Sequence, residues 1–140
     1  MKYRRIKKHI SPRIKALSDA QKIAFAPLTF QAVNTMLKFG ILKFIDENPS
    51  TINEIMEHCK TSKYTTETLL EVGCICNVVT KTDEKYRTSL VGSAFLQNEM
   101  TKVNFNFVND VCYLGAFELA NSFEKAEPVG LQKFVGDYKT

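Results

Sequence analysis

Residues 51–90 decide the fold, and they read TINEIMEHCKTSKYTTETLLEVGCICNVVTKTDEKYRTSL. Thr51 and Glu54, three residues apart, have the spacing of a capping box, which predicts that a helix begins here. The apolar residues that this short helix is expected to bury are Ile52, Ile55 and Met56. A turn at 60–63 leads to a second predicted helix over 64–76, and the pair indicates a helix-turn-helix.

Two runs rich in β-branched and aromatic residues follow the second helix and predict a β-hairpin. They cover 78–82 and 86–90, and the polar residues 83–85 form the turn between them. A helix-turn-helix followed at once by a hairpin has the element order of a winged helix. A short helix around 91–98 is predicted to close this unit.

Further helices are predicted before this motif. Residues 11–12 are Ser-Pro, a good helix start, because Ser can cap the helix and Pro fits its first position. This first helix is expected to run to about Ile23, and Pro27 punctuates the chain. A second helix is predicted over 28–45, in which Gly40 marks a bend or a close helix contact.

The helix over 28–45 and another over 104–123 have too many apolar residues for a single buried face. A helix that is apolar on most sides is buried on more than one side, and in a chain this small a second subunit can cover the rest. The predicted fold is therefore mainly α. It has a winged helix-turn-helix core with one small β-hairpin, flanked by long helices that form an intertwined dimer.

The length of 140 residues and the 44% hydrophobic content fit one compact domain. We expect a basic arm at 1–10 and a winged-helix dimerisation domain at 11–136. The sequence shows neither a secretory signal nor the run of about 18 apolar residues that a membrane helix needs, so no membrane partner and a cytoplasmic location are predicted. The four cysteines are then expected to be reduced, buried thiols.

Motifs that would support a catalytic assignment are not found in these 140 residues. The two histidines, His9 and His58, have no metal-ligand spacing around them, and His58 beside Cys59 points about 100° away from it on a helix. The six glycines form no phosphate cradle and no nucleotide-binding unit. We therefore assign no catalytic residue, no cofactor-binding residue, no metal ligand and no reaction to the residues themselves.

Charge is concentrated at the N-terminus, where residues 1–22 hold eight Lys or Arg and one acid, Asp19. Such a run is typical of a solvated terminus, and the alternatives are a nucleic-acid partner or another acidic partner. A winged helix can bind DNA through its second helix, which here is expected to bury Tyr64, Thr68, Leu69, Val72 and Ile75 or their neighbours. Its expected exposed residues are Lys63, Thr65, Thr66, Glu67 and Glu71. Two carboxylates facing a phosphate backbone are repulsive, so we do not expect nucleic acid to be a partner.

The motifs along residues 20–136 resemble the N-terminal dimerisation domain of S-adenosylmethionine-dependent O-methyltransferases of the small-molecule type. The segments that carry the resemblance are 30–45, 51–55, 69–73, 86–90 with Phe95 and Leu96, and the set Asp110, Tyr113, Leu119, Ser122 and Pro128. The sequence departs from the family at Lys125-Ala126, where a glycine is common, and in its basic arm. The order and spacing of the motifs carry the resemblance more than any one of them.

The resemblance implies a homodimer and a role in a larger enzyme. In the family a Rossmann domain follows this region and binds S-adenosylmethionine, and that domain is absent from these 140 residues. The chain is thus predicted to be a dimerisation and substrate-pocket module, not catalytic on its own, for a small-molecule methyl acceptor. The implied pocket residues are Phe25, Phe30, Phe107 and Tyr113. Two alternatives stay open: a winged-helix DNA-binding transcriptional regulator and a stand-alone interaction protein.

Overall fold

The computed structural model describes residues 11–131. The basic arm at 1–10 and the end of the predicted domain at 132–136 therefore lie outside the described residues. The described part contains seven α-helices and one two-stranded antiparallel sheet, which confirms the mainly α prediction. It divides into two compact units, of which the first ends at Ser89 and the second begins at Leu90. Each unit is described by itself.

The first helix, α1, runs from Pro12 to Lys38 and begins at the predicted position, with Pro12 first, but the Ser11 side chain before it makes no capping hydrogen bond. The prediction that it ends near Ile23 and that Pro27 punctuates the chain is wrong, because Pro27 lies inside the helix. A proline inside a helix removes one backbone hydrogen bond and crowds the preceding turn. The buried contacts of Val33 and Met36 further along α1 stabilise the continuous helix against that local cost.

The predicted helix over 28–45 is in fact two helices, because α1 ends at Lys38 and α2 spans Ile41–Glu47. Gly40 separates them with a left-handed φ of 74°, which a residue with a Cβ adopts only at a cost. A Cβ placed on Gly40 would have no neighbour within 4 Å. Gly40 therefore marks the predicted bend and not a close helix contact.

Helices α3 (Ile52–Cys59) and α4 (Lys63–Ile75) form the predicted pair with a tight turn between them. The capping box is present: the carboxylate of Glu54 accepts from the Thr51 N–H at 2.7 Å, and the Thr51 hydroxyl oxygen accepts from the Glu54 N–H at 3.4 Å. The hydroxyl of Ser62 caps α4 by accepting from the Thr65 N–H at 3.1 Å. Local hydrogen bonds thus fix both helix starts where the sequence placed them.

The buried face of α4 consists of Thr66, Leu69, Leu70 and Gly73. Leu69 was predicted to be buried, but Tyr64, Thr68 and Ile75 are exposed, and Thr66 was wrongly expected to be exposed. Thr66 can be buried because its hydroxyl donates to the Ser62 carbonyl at 2.9 Å and lies 2.7 Å from the Thr61 hydroxyl.

Strands β1 (Val79–Thr82) and β2 (Lys85–Thr88) form the predicted hairpin, with Val79 opposite Thr88. The backbone of Ser50 adds to the far edge of β2, because its N–H donates to the Tyr86 carbonyl at 3.0 Å and its carbonyl accepts from the Tyr86 N–H at 2.8 Å. The first unit's apolar core is drawn from its helices and hairpin: Val33, Met36, Ile41, Leu42, Ile45, Ile55, Leu69, Leu70, Val78, Val79 and Tyr86.

The second unit is a succession of short helical segments. The α-helices in its described part, 90–131, are α5 (Leu90–Gln97), α6 (Glu99–Phe107) and α7 (Leu119–Lys125). A π-helical turn at Val108–Cys112 and a 3₁₀ turn at Gly115–Glu118 separate α6 from α7. The regular helix predicted over 104–123 is therefore wrong: the Tyr113 N–H donates to the carbonyl five residues back, that of Val108, at 2.8 Å. A further 3₁₀ turn follows at Val129–Leu131.

Candidate functional site

The N-terminal half of α1 leaves its apolar residues in solvent. Every residue from 11 to 28 is exposed except Asp19, which is half-buried. The large apolar side chains among them are Ile14, Leu17, Ile23, Phe25 and Leu28. Lys15 and Lys22 pair with Asp19 at 3.5 and 2.9 Å, and the hydrogen bond from Lys22 lowers the pKa of the Asp19 carboxyl. Exposed apolar residues therefore lie on several sides of this half-helix, and Ile23 is one turn from Asp19 on the same face.

The second unit also exposes many large apolar residues. They lie on α6, on the turns after it and on α7: Met100, Val103, Phe107, Val108, Leu114, Phe117, Leu119 and Phe123. Scattered exposed apolar residues are ordinary, but a concentration of this kind marks an interaction surface. The surplus of apolar surface predicted for the helix over 104–123 is therefore confirmed for the described residues. The surplus predicted over 28–45 is wrong, because most large apolar residues there are buried or half-buried in the first unit and the exposed ones of the early chain lie mainly over 14–28.

An apolar groove of about 330 Å³ lies within the second unit. Its lining comes from the end of α6, the two turns, α7 and the last 3₁₀ turn: Phe107, Val111, Cys112, Gly115, Ala116, Leu119, Ser122, Pro128, Gly130 and Leu131. Gly130 packs so closely on Gly115 that a Cβ added to it would lie 2.6 Å from the Gly115 carbonyl oxygen. The groove therefore depends on a glycine for the close approach of two backbone turns.

The four predicted pocket residues lie in different surroundings. Phe25 is 55% exposed and Phe30 half-buried, both on α1. Phe107 is the last residue of α6 and lines the groove, whereas Tyr113 is half-buried beside the π-helical turn and is not among the lining residues. Of the two predicted pocket residues in the second unit, Phe107 lines the groove and Tyr113 does not.

Sequence reasoning missed the other nine residues of the groove. The π-helical turn that brings Val111 and Cys112 to its wall replaces a regular helical pattern, so helical spacing could not assign them. The signal available in the sequence is the pair Gly115 and Gly130, but glycines fifteen residues apart do not by themselves indicate that two turns meet.

The described cysteines are less buried than predicted. Cys74 is exposed, and Cys59, Cys76 and Cys112 are half-buried. Partial burial raises the pKa of the thiols of Cys59, Cys74 and Cys76, which disfavours the nucleophilic thiolate. His58, next to Cys59, instead stacks on Phe44, with ring centroids 4.0 Å apart. His58 therefore packs against an aromatic ring, and its contacts do not indicate a catalytic pair with Cys59.

Residues 11–131 contain no group of three or more His, Cys, Asp or Glu side chains that could hold a metal ion. No helix within this range has the length and apolar character needed to cross a membrane.

The exposed side of α4 has little that would attract nucleic acid. Lys63 lies 3.8 Å from Glu67, and Glu71 is exposed one turn further along the helix. Thr66, which was expected on this side, is buried. In the hairpin, Lys81 pairs with Glu84 at 3.4 Å. The helix that a DNA-binding winged helix uses for base contacts therefore presents acids here.

Comparisons with known proteins agree with this geometry. Residues 18–86 match the family model described as the Dimerisation2-like domain. A search of curated proteins finds no significant match. Among solved structures, the chain is similar to the S-adenosylmethionine-dependent methyltransferase SibL in its apo form, with a TM-score of 0.76, 21% identity, and coverage of 86% of this chain and 37% of SibL.

Two more solved structures share the fold. The mitomycin 7-O-methyltransferase MmcR gives a TM-score of 0.70 and 16% identity, covering 89% of this chain and 38% of MmcR. Human N-acetylserotonin methyltransferase, solved with S-adenosylmethionine, gives a TM-score of 0.63 and 15% identity. The match covers 86% of this chain and 36% of the human enzyme's chain. The resemblance drawn from the sequence motifs is thereby confirmed. The chain spans little more than a third of the length of the enzymes it matches.

Proposed function

We propose that this chain is the dimerisation and substrate-pocket module of an S-adenosylmethionine-dependent O-methyltransferase that acts on a small molecule. The observation that carries the proposal is the match of residues 18–86 to a dimerisation domain. The apolar surface exposed on α1 and along the second unit supports it, because a single chain leaves that surface in water. The solved neighbours are methyltransferases, and they support the enzyme class.

S-adenosylmethionine does not fit the described residues. A nucleotide-like cofactor needs a strand, a glycine-rich loop and a helix N-terminus, and the described sheet is a single hairpin of two short strands. The cofactor belongs to the expected Rossmann portion of the enzyme, and we assign no step of methyl transfer to this chain. A cytoplasmic location stays a prediction.

Within that enzyme, Phe107 is the predicted pocket residue with the strongest support, because it lines an apolar groove. Phe25, Phe30 and Tyr113 stay predictions. The cavity of about 330 Å³ is at the lower end of the size range for small-molecule sites. In the full-length enzyme we expect Phe107→Ala to raise KM for the acceptor more than it lowers kcat, with Phe123→Ala, exposed on α7, as the control.

The experiment for the module itself is sedimentation equilibrium of the 140-residue chain at micromolar concentration. We expect a reversible dimer. A species that stays monomeric at these concentrations would overturn the proposal. A DNA-binding regulator is not favoured by the comparisons, and salt-dependent DNA binding that survives deletion of residues 1–10 would revive it.

A further inference from the structure

The groove of the second unit has a wall without charged residues. Its lining contains no Lys, Arg, Asp, Glu or His, and its polar side chains are the Cys112 thiol and the Ser122 hydroxyl. Such a wall favours the hydrophobic body of a ligand and offers a charged group no partner inside the groove. A charge on the ligand must therefore stay at the rim, in contact with water.

The charged residues nearest in sequence to this lining are acidic. Asp110, Glu118 and Glu127 each stand directly before a lining residue. Residues 107–131 hold four acids and one base, a net charge of −3, and the base, Lys125, is three residues from the nearest lining residue on either side. Because consecutive Cα atoms are about 3.8 Å apart, the three carboxylates act on the groove from within about 8 Å, one Debye length at physiological ionic strength.

These acids border the groove and do not line it. Asp110 and Glu118 lie in helical turns, where neighbouring side chains point roughly 100° apart, so they lie to the side of the lining residues. Asp110 and Glu127 are exposed, and Glu118 is half-buried. The Asn109 amide donates to the Asp110 carboxylate at 2.6 Å, and a neutral donor leaves the negative charge of that carboxylate in place.

We propose that the groove binds a small apolar molecule that carries a positive charge, namely an aromatic ring system with a protonated amine. The ring system fills the groove, and the ammonium group stays at the rim, where the carboxylates attract it. An anionic group at the same place is repelled. For ligands that are otherwise equal, three screened carboxylates at this distance favour the cation over the anion by about fivefold. This inference rests on the proposed function and adds the charge class of the acceptor.

Binding of three matched probes to the 140-residue chain tests the ligand class. They are 1-naphthylmethylamine, 1-naphthalenemethanol and 1-naphthylacetate, which share one ring system and are cationic, neutral and anionic at neutral pH. Naphthalene fluorescence gives the Kd of each. We expect the Kd to rise in that order, by about fivefold from amine to carboxylate, with a smaller difference in about 1 M salt. Equal affinities, or tighter binding of the carboxylate, would overturn the proposal.

Substitutions at two alanines test whether the probe binds in the groove. Ala116 lines the groove, so Ala116→Phe should fill it and weaken amine binding by about tenfold or more. Ala120→Phe, on α7 and outside the lining, is the matched control and should change the Kd little. Both alanines are exposed, so circular dichroism should show both variants folded. Amine binding that survives Ala116→Phe would place the probe elsewhere and overturn the proposal.

Neutral variants of the acids test the rim. A chain with both Asp110→Asn and Glu127→Gln should bind the amine and the carboxylate within about twofold of each other, since two of the three carboxylates are gone. Glu99→Gln is the control, because Glu99 pairs with Lys102 at 2.7 Å and lies at the other end of α6 from the groove. A fivefold preference that persists in the double variant would contradict the role of the acids.

The oligomeric state separates this inference from the proposed function. A dimer that binds the three probes equally would overturn the inference alone. A monomer that prefers the amine would overturn the proposed function and support the ligand class. Amine binding that is lost as the chain concentration rises through the dimer Kd would show that a second copy covers the groove, and this would overturn the inference.

Discussion

The two units of the chain differ in where their apolar residues lie. In the first unit, Met36, Ile41, Leu42, Ile45, Ile55 and Leu70 are almost completely buried. Between Leu90 and Leu131, the described part of the second unit, Gly92 alone is buried. Full burial of one large aliphatic side chain stabilises a fold by about 1.5–3 kcal/mol. The described contacts therefore stabilise the first unit far more than the second.

This difference assigns the two units different roles. The first unit has its own core and can hold its shape within one chain. The second unit exposes Phe117, Phe123 and other large side chains, and its backbone passes through a π-helical and a 3₁₀ turn before α7. A segment with so little buried surface depends on other protein surface for its stability. The N-terminal half of α1 shares this property, although α1 belongs entirely to the first unit.

The largest expected effect is on the core of the first unit. Leu70→Ala should lower the free energy of unfolding by about 2–5 kcal/mol, because Leu70 is buried and its removal leaves a cavity. Chemical denaturation followed by circular dichroism measures the loss. Ile75→Ala on the same helix, where Ile75 is 85% exposed, is the control and should stay within about 0.5 kcal/mol. Similar losses in both variants would contradict the assigned core.

A smaller effect is expected at Gly73, where α4 packs on β1 and α1. A Cβ there would lie 2.7 Å from Val79 Cγ2 and 3.4 Å from Met36 Cε. Overpacking costs about 1–3 kcal/mol, and the gain in helix propensity from Gly→Ala offsets about 1 kcal/mol of it. Gly73→Ala should therefore lower the melting temperature, while Cys74→Ala next to it should not. An unchanged or higher melting temperature for Gly73→Ala would show a looser core than described.

The capping box of α3 gives the next effect, of about 0.5–2 kcal/mol, when Thr51→Ala removes the hydroxyl that caps the helix.

Hydrogen bonds from the Thr51 N–H and hydroxyl lower the pKa of the Glu54 carboxyl. A lowered folded-state pKa gives stability that is present above the unfolded value of about 4.3 and is lost as pH falls through the folded value. Glu54→Gln should therefore weaken the dependence of stability on pH in acid. An unchanged acid profile in thermal melts would contradict this role.

The smallest effect is expected in the second unit. Phe117 is 80% exposed, so Phe117→Ser should change the free energy of unfolding of the dilute chain by no more than about 0.5 kcal/mol. Measuring it beside Leu70→Ala, at a concentration below the dimer Kd, compares the two units directly. A loss of 2 kcal/mol or more at Phe117, of the size expected for core truncations, would show that the second unit has a core of its own.

Much of the first unit could be predicted from sequence, because its signals are local. Ser11-Pro12 gives the start of α1, Thr51 and Glu54 give the start of α3, and the β-branched runs give the hairpin. Of the candidate site, the exposed apolar surface over 104–123 could be predicted from the excess of apolar residues there, whereas the pocket role of Phe107 rests on the family resemblance and stays a prediction. The rest of the groove could not, because a π-helical turn breaks the spacing on which helical prediction relies.

The sequence by itself determined the order helix-turn-helix then hairpin, the capping box of α3 and the resemblance to a dimerisation domain. These depend on hydrogen bonds and turn preferences among residues a few positions apart. Only the tertiary structure decided that α1 continues through Pro27, that α4 buries Thr66 and exposes Ile75, and that Gly115 meets Gly130. Those outcomes depend on the free energy of burial against residues distant in the chain. The residue pattern of a single segment gives no information about that free energy of burial.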